Sequence, residues 1–363
     1  MVTVENFESS SGNGFVGQDQ AKTAVYALTL AGARLGRVLA QKLGGTLFVP
    51  ERLGPEFRAQ TFDSLIPFVG ALFPRYRRHV FVTAAGIAVR AVARVLQSKD
   101  RDPAVVVVDQ RGRFAVSLVS GHLGQANALA GEIAAITAGQ AVITTATDVE
   151  DLPAVDTLAL ERGLAILNLP AVKAVNVEIL AGEKLQVHDP ESRLGLKDSA
   201  FDGADSFRLV DAGAWNPDKP GVWVTWRVRE PEKDMLVLNP PCLAVGVGCR
   251  KGTSASAIES FIASTFNEHG LAVKSLLALG TIADKDQEPG LLLAAANLQK
   301  ALFFFEPEEM KKVTVPNPSE QVEKHMGVPS VCEAAAMLLA ETKELLVPKV
   351  KSQGVTLAVA LVA

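Results

Sequence analysis

Short apolar runs alternate with stretches of helical periodicity along most of the chain. Residues 25–29 read as a strand. Residues 31–43 carry the 3.6-residue spacing of a helix that stops at Gly44-Gly45. A strand is expected over 46–49, then a helix over 63–73 with Leu65, Ile66, Val69 and Leu72 on its apolar face. Residues 79–83 predict a strand and 86–97 a helix. The unbroken apolar run 104–108 is what a strand covered on both faces looks like. Residues 114–119 form its neighbour. The turn Asp109-Gln110-Arg111-Gly112-Arg113 is too short for a crossover helix, so an antiparallel hairpin is expected. A helix over 124–136 and a strand over 141–144 follow.

The pattern then changes. Helical spacing at 154–163 and 171–180 precedes short strand candidates at 183–187, 206–210 and 222–226, punctuated by Pro, Gly and Asp up to Pro240-Pro241. Alternation resumes with strands at 242–247, 273–278, 302–305 and 356–361 and helices at 254–269, 289–299, 319–326 and 330–341. The expected class is α/β: two three-layer α/β domains with mostly parallel sheets, joined by a smaller middle α+β segment. The expected divisions are a flexible N-terminal extension over 1–23, an N-terminal α/β domain over 24–150, a middle segment over 151–241 and a C-terminal α/β domain over 242–363.

Composition narrows the functional classes. The 363 residues are 48% hydrophobic and 21% charged with a net charge of −4, so the basic excess of a nucleic-acid protein is missing. No apolar run is long enough to span a membrane, and the first twenty residues are polar without a signal-peptide core. Cys242, Cys249 and Cys332 do not make a disulfide framework, which points to a reducing, cytoplasmic setting. The five histidines are scattered, and no cysteine has a histidine at zinc-finger spacing, so no protein-bound metal site is expected.

Two strand–glycine turn–helix units carry candidate chemistry. In the first, Ser120-Gly121-His122-Leu123-Gly124 stands between a strand and an Ala-rich helix. A helix start offers unpaired N–H groups, equivalent to roughly half a positive charge, and glycines let a ligand approach the backbone. His122 can serve there as a general base or orienting donor, and Ser120 as a contact for a carboxylate or reacting carbonyl. The plainer alternative is a Ser N-cap and a histidine that satisfies a loop carbonyl. In the second, Gly246-Val247-Gly248-Cys249-Arg250-Lys251-Gly252-Thr253-Ser254 adds two cations beside a helix start, which favours an anion. The residue order fits neither a Walker A loop nor a dinucleotide fingerprint. A structural turn with two solvated bases is the alternative. Arg90, Arg94, Lys99, Arg101, Arg111 and Arg113 form a basic group around the first unit, either gathered towards a polyanion or simply solvated. Asp148, at the end of a strand ending in hydroxyls, can orient His122, accept a proton, or cap the following helix.

Taken together these stretches resemble the cobalt-precorrin-5A hydrolase family of oxygen-independent cobalamin biosynthesis. The resemblance rests on Ala85-Gly86-Ile87-Ala88-Val89-Arg90, Ser98-Lys99, Asp102-Pro103 through Asp109, and Gly112-Arg113-Phe114. It continues through Ser117 to Gly124, Ile143 to Asp148, Gly246 to Ser254, Lys285, and Pro329-Ser330-Val331-Cys332-Glu333-Ala334-Ala335-Ala336. Arg94 stands where the family usually has proline, and Gly124-Gln125 where it has a glycine pair.

The resemblance implies a cobalt-containing tetrapyrrole substrate with a δ-lactone and many carboxylates. It implies lactone opening with loss of the bridging carbon as acetaldehyde, giving cobalt-precorrin-5B. No cofactor is implied, because the cobalt arrives in the substrate. In this reading His122 activates water or relays a proton, Ser120 and the amides from Gly121 to Gly124 polarise the lactone carbonyl, and Asp148 orients or protonates. Arg90, Lys99, Arg111, Arg250 and Lys251, with Gly248, Gly252 and Thr253, hold peripheral carboxylates in a cleft between the two α/β domains. Transient contact with neighbouring pathway enzymes fits the reading, and the oligomeric state is left open. Two rivals remain. A non-catalytic corrinoid carrier would bind without releasing acetaldehyde, and a nucleotide-dependent enzyme would be stabilised by a dinucleotide.

Overall fold

The computed structural model describes residues 23–99, 101–198 and 201–362, so most of the expected 1–23 extension lies outside the described residues. Three sheets follow one another along the chain. The first contains β1 (Thr23–Ala27), β2 (Thr46–Pro50), β3 (Gln60–Phe62), β4 (Arg78–Val82), β5 (Ala104–Val108), β6 (Phe114–Val119) and β7 (Gln140–Val142), in the order β3-β2-β1-β4-β5-β6-β7. All neighbours in it are parallel except β5 and β6, the expected hairpin. Continuous apolar strands are what helices on both faces require. Val25, Val80 and Val106 pack in one core and Tyr26, Phe81 and Val105 in another, one on each side of the sheet.

The middle sheet holds β8 (Ala165–Ile166), β9 (Leu185–His188), β10 (Phe207–Leu209), β11 (Gly221–Val224) and β12 (Met235–Asn239), in the order β10-β9-β11-β12-β8. Only β8 is antiparallel, so this segment is also mostly parallel. The third sheet has β13 (Leu243–Cys249), β14 (Leu276–Ile282), β15 (Ala301–Phe305), β16 (Val347–Ser352) and β17 (Val355–Leu361), in the order β15-β14-β13-β17-β16. Here β13, β14 and β15 are parallel, and β17 runs against both β13 and β16. Gly246 lets helix Val331–Leu339 lie directly on β13, because a Cβ at that position would stand 1.8 Å from the Cys332 carbonyl oxygen.

Several elements differ from the sequence-based expectation. Strands β3, β8, β12 and β16 were not expected. The first two have three and two residues, too few to show a period. Strand β16 contains Pro348 and alternating lysines, features that suit an edge, and it is an edge strand with a register shift around the proline. Residues 273–275 form a 3₁₀ turn, so the strand expected over 273–278 runs instead as Leu276–Ile282. The helix expected over 86–97 is Ala85–Val92, and the one expected from 124 starts at Ala126 behind Gln125, whose φ is 66°. Residues 121–124 are therefore a turn ahead of the helix rather than its first turn.

Candidate active site and cation-lined cavity

Because β6 and β7 are parallel, the segments that leave them emerge on one edge of the first sheet. That places His122, after β6, beside Asp148, in the short helix Ala146–Val149. Nε2 of His122 is 2.8 Å from Oδ2 of Asp148 and 3.3 Å from the Thr147 hydroxyl. The same carboxylate oxygen accepts from the Thr145 hydroxyl at 2.6 Å and from Asn127 Nδ2 at 3.1 Å. On its other side, Nδ1 of His122 is 3.4 Å from Oδ2 of Asp156, in helix Val155–Glu161 of the middle segment. Asn176 holds the remaining Asp156 oxygen at 3.0 Å.

These contacts fix the charge of the ring. The bond to Asp156 raises the His122 pKa most. Burial opposes it, Asp148 adds to it, and the outcome is about 9. The Asp156 contact is the longer of the two, yet its side chain is only 4% exposed against 35% for Asp148, so water screens it less. Burial pushes both carboxyls up, but hydrogen bonds and the ring's charge outweigh it and hold both below their ordinary range: Thr145 and His122 act on Asp148, His122 and Asn176 on Asp156. At neutral pH His122 is an imidazolium between two carboxylates. That charge suits a proton donor or relay.

The turn itself leaves several hydrogen-bond donors unspent. Ser120 sits at φ 60°, and its buried Oγ has no hydrogen-bond partner among the described residues. The carbonyls of Ser120, Gly121 and His122 accept from Ala126, Asn127 and Gln125, while the amides of residues 121–124 donate to no group among the described residues. Gly124 is needed for closeness: a Cβ there would lie 2.3 Å from the Ser120 Cβ and 3.1 Å from the Asp102 carbonyl oxygen. Through that contact the loop carrying the exposed Lys99 reaches the turn.

Other expected partners lie elsewhere. Arg111 is in the β5–β6 turn, at the far end of β6 from His122, roughly 20 Å of strand away. Arg90 is exposed on helix Ala85–Val92, which starts at the carboxyl end of β4, on the edge opposite the His122 turn. Both are corrections to a single gathered cation cluster, and their cause is the reversal of strand direction between β5 and β6.

The second glycine unit forms a site of its own. The carboxyl ends of β13, β14 and β16 share one edge, the usual ligand position of an open α/β sheet. A cavity of about 640 Å³ opens there, lined by Gly248, Arg250, Lys251, Lys285, Ser330, Lys349, Lys351 and neighbours from the same segment. Five of its lining side chains are cationic and none is acidic. Arg250, Lys251 and Lys351 make no ion pair among the described residues.

Gly252 and Thr253, expected to bind the ligand, do not line the cavity. The Gly252 amide donates to Glu288 Oε1 at 2.7 Å, and the Thr253 hydroxyl donates to the Arg250 carbonyl at 2.8 Å. Ser254 caps helix Ala255–Glu268. No residue of 120–124 lines this cavity.

Sequence reasoning missed Asp156, Asn127, Lys349 and Lys351. The lysines left a readable trace, since i and i+2 on a strand share a face. Glu333, fully buried, accepts from the Lys349 amide at 3.1 Å and from Asn317 Nδ2 at 2.8 Å, tying β16 to the loop beside the cavity.

Comparison with known proteins gives a consistent picture. Residues 67–148 match the family described as Cobalamin synthesis G N-terminal, 153–240 the Cobalamin biosynthesis central region, and 243–360 the Cobalamin synthesis G C-terminus. The cobalt-precorrin-5A hydrolase of Salmonella typhimurium is 34% identical over 350 residues, covering 92% of this chain and 96% of its own. That of Priestia megaterium is 32% identical over 300 residues, covering 80% of each. A crystal structure of a cobalamin biosynthesis protein G homolog from Sulfolobus solfataricus covers 95% of this chain and 98% of its own at 19% identity, with a TM-score of 0.37.

Proposed function

The chain belongs to the cobalt-precorrin-5A hydrolase family, and from that premise we propose that it opens the δ-lactone of cobalt-precorrin-5A and releases the bridging carbon as acetaldehyde. The product is cobalt-precorrin-5B, and the pathway is cobalamin biosynthesis. The observation that carries the reading is the 640 Å³ cavity with five cationic and no acidic lining residues, in a chain whose net charge is −4. A tetrapyrrole rimmed with acetate and propionate groups is the kind of ligand such a lining selects.

In this reading Arg250, Lys251, Lys285, Lys349 and Lys351 hold peripheral carboxylates. Water adds to the lactone carbonyl, while Ser120 Oγ and the free amides of residues 121–124 stabilise the developing oxyanion. The ring C–O bond breaks, leaving a carboxylate and a hydroxyl on the bridging carbon. That hydroxyl gives its proton to solvent water, as the attacking water did, and becomes a carbonyl as the carbon–carbon bond breaks, and acetaldehyde departs. The electron pair left on the macrocycle takes a proton, which His122 supplies as imidazolium. Asp148 and Asp156 orient the ring and keep it charged. Lys99 belongs to the same edge as His122 and contacts an outer carboxylate. The reaction needs no redox cofactor, and cobalt enters and leaves inside the substrate. Since residues 120–124 do not line the cavity, the N- and C-terminal segments close on the macrocycle when it binds.

The test is anaerobic incubation with cobalt-precorrin-5A and measurement of acetaldehyde. One equivalent of acetaldehyde with the lactone-opened product is expected. Tight binding with no acetaldehyde would instead establish a corrinoid carrier.

A further inference from the structure

We infer that the middle segment carries a second binding site, for a flat ring compound bearing carboxylates. It concerns binding alone and does not rest on the hydrolase reading. Strands β9, β11 and β12 are adjacent and parallel, so their carboxyl ends share one edge. Open α/β sheets place ligands at such an edge. A cavity of about 340 Å³ opens there, lined by His188, Trp223, Trp226, Arg193, Arg227 and Arg229 among others. That volume suits one carboxylated edge of a ring system rather than a whole macrocycle.

Its surface is built from guanidinium groups lying on indoles. Arg227 Cζ is 4.3 Å above the Trp226 ring and Arg229 Cζ is 4.1 Å above that of Trp223, whose ring also meets His188 at 4.1 Å. Such stacking keeps a guanidinium planar and fixed, with its N–H edge free for a carboxylate and its outer face free for a ring. The two acids in the lining are already used. Glu191 accepts from Trp226 Nε1 at 2.6 Å and from Arg193 Nε at 3.0 Å. Asp189 accepts from the amides of Arg193 and Leu194. Arg229 pairs with Glu232 through Nη2, but its buried Nε has no partner. Arg227 has no carboxylate within ion-pair distance among the described residues. The unspent capacity of the cavity is therefore donor and cationic. No helix starts directly after β9, β11 or β12, so the site lacks the helix N-terminus that a nucleotide phosphate uses.

The chain supplies its own reporter. Its three tryptophans are Trp215, Trp223 and Trp226; the latter two line the cavity, and Trp215 packs edge-on against Trp223 at 5.1 Å. The probe is coproporphyrin III, a planar tetracarboxylate, titrated into the full chain with tryptophan emission as the readout. Saturable quenching is expected, weakened about tenfold or more by Arg227→Gln and partly restored by Arg227→Lys. Arg227 is exposed, so neither change should disturb folding, which unchanged melting confirms. No quenching of the wild-type chain, or equal affinity in Arg227→Gln, would overturn the inference. So would quenching that is lost in Lys351→Gln but kept in Arg227→Gln, since that would put the porphyrin in the C-terminal cavity.

Discussion

Nδ1 of His122 and Oδ2 of Asp156 stand 3.4 Å apart, joining a turn of the first sheet to the first helix of the middle segment. With Asp148 on the opposite ring nitrogen, the imidazole ties the two folded units together. Proton titration of the ring by NMR should therefore give a pKa of about 9, falling towards the ordinary 6.5 in Asp156→Asn.

Stability should follow the same charges. A histidine whose pKa is raised on folding stabilises fully below about 6.5 and loses that contribution as pH rises through about 9. The lowered carboxyls of Asp148 and Asp156 act in the other direction, stabilising above their ordinary range and losing the contribution as pH falls below it. Thermal melts from pH 3 to 10 should show decline at both ends, and His122→Gln should lose the alkaline limb.

The cavity cations should act on binding rather than on the chemical step. Arg250→Gln and Lys351→Gln are each expected to raise KM about three- to tenfold with little change in kcat, as removal of a partly solvated charge contact would. Added salt should weaken wild-type binding and affect the variants less.

Packing around the cavity gives two stability predictions. A methyl group at Gly246 meets the Cys332 carbonyl at 1.8 Å and the Ala336 amide nitrogen at 2.7 Å, so Gly246→Ala should cost roughly 2–3 kcal/mol or more in denaturant unfolding. Glu333→Ala strands the Lys349 amide and the Asn317 donors, with an expected loss of about 3 kcal/mol and a raised KM as Lys349 shifts. Glu333→Gln keeps a carbonyl acceptor and should restore part of both.

Closure of the outer segments on the macrocycle should be visible in solution. Small-angle scattering is expected to show a smaller radius of gyration with cobalt-precorrin-5B than without it, and no change in a chain carrying both Arg250→Gln and Lys351→Gln.

Local signals made parts of this structure readable in advance. The 104–119 hairpin was legible because a five-residue turn leaves no room for a crossover, and helix Ala171–Leu180 because its apolar spacing is regular. His122 and Asp148 could be paired as candidates because each follows a strand in one βαβ unit. Asp156 left no such trace, since its approach to His122 depends on how the middle segment docks. The same holds for Gly252, whose amide is taken by Glu288, 36 residues away. Arg111 and Arg90 were grouped with His122 by nearness in sequence, and one reversal of strand direction put them on other edges.

Acetaldehyde release by His122→Ala, measured beside the wild-type chain at neutral pH with saturating cobalt-precorrin-5A, tests the proposed chemistry most directly. Loss of the imidazolium donor should lower kcat by roughly 10²–10⁴ while binding is kept. A variant that turns over at the wild-type rate would contradict the assignment of His122 as the proton source.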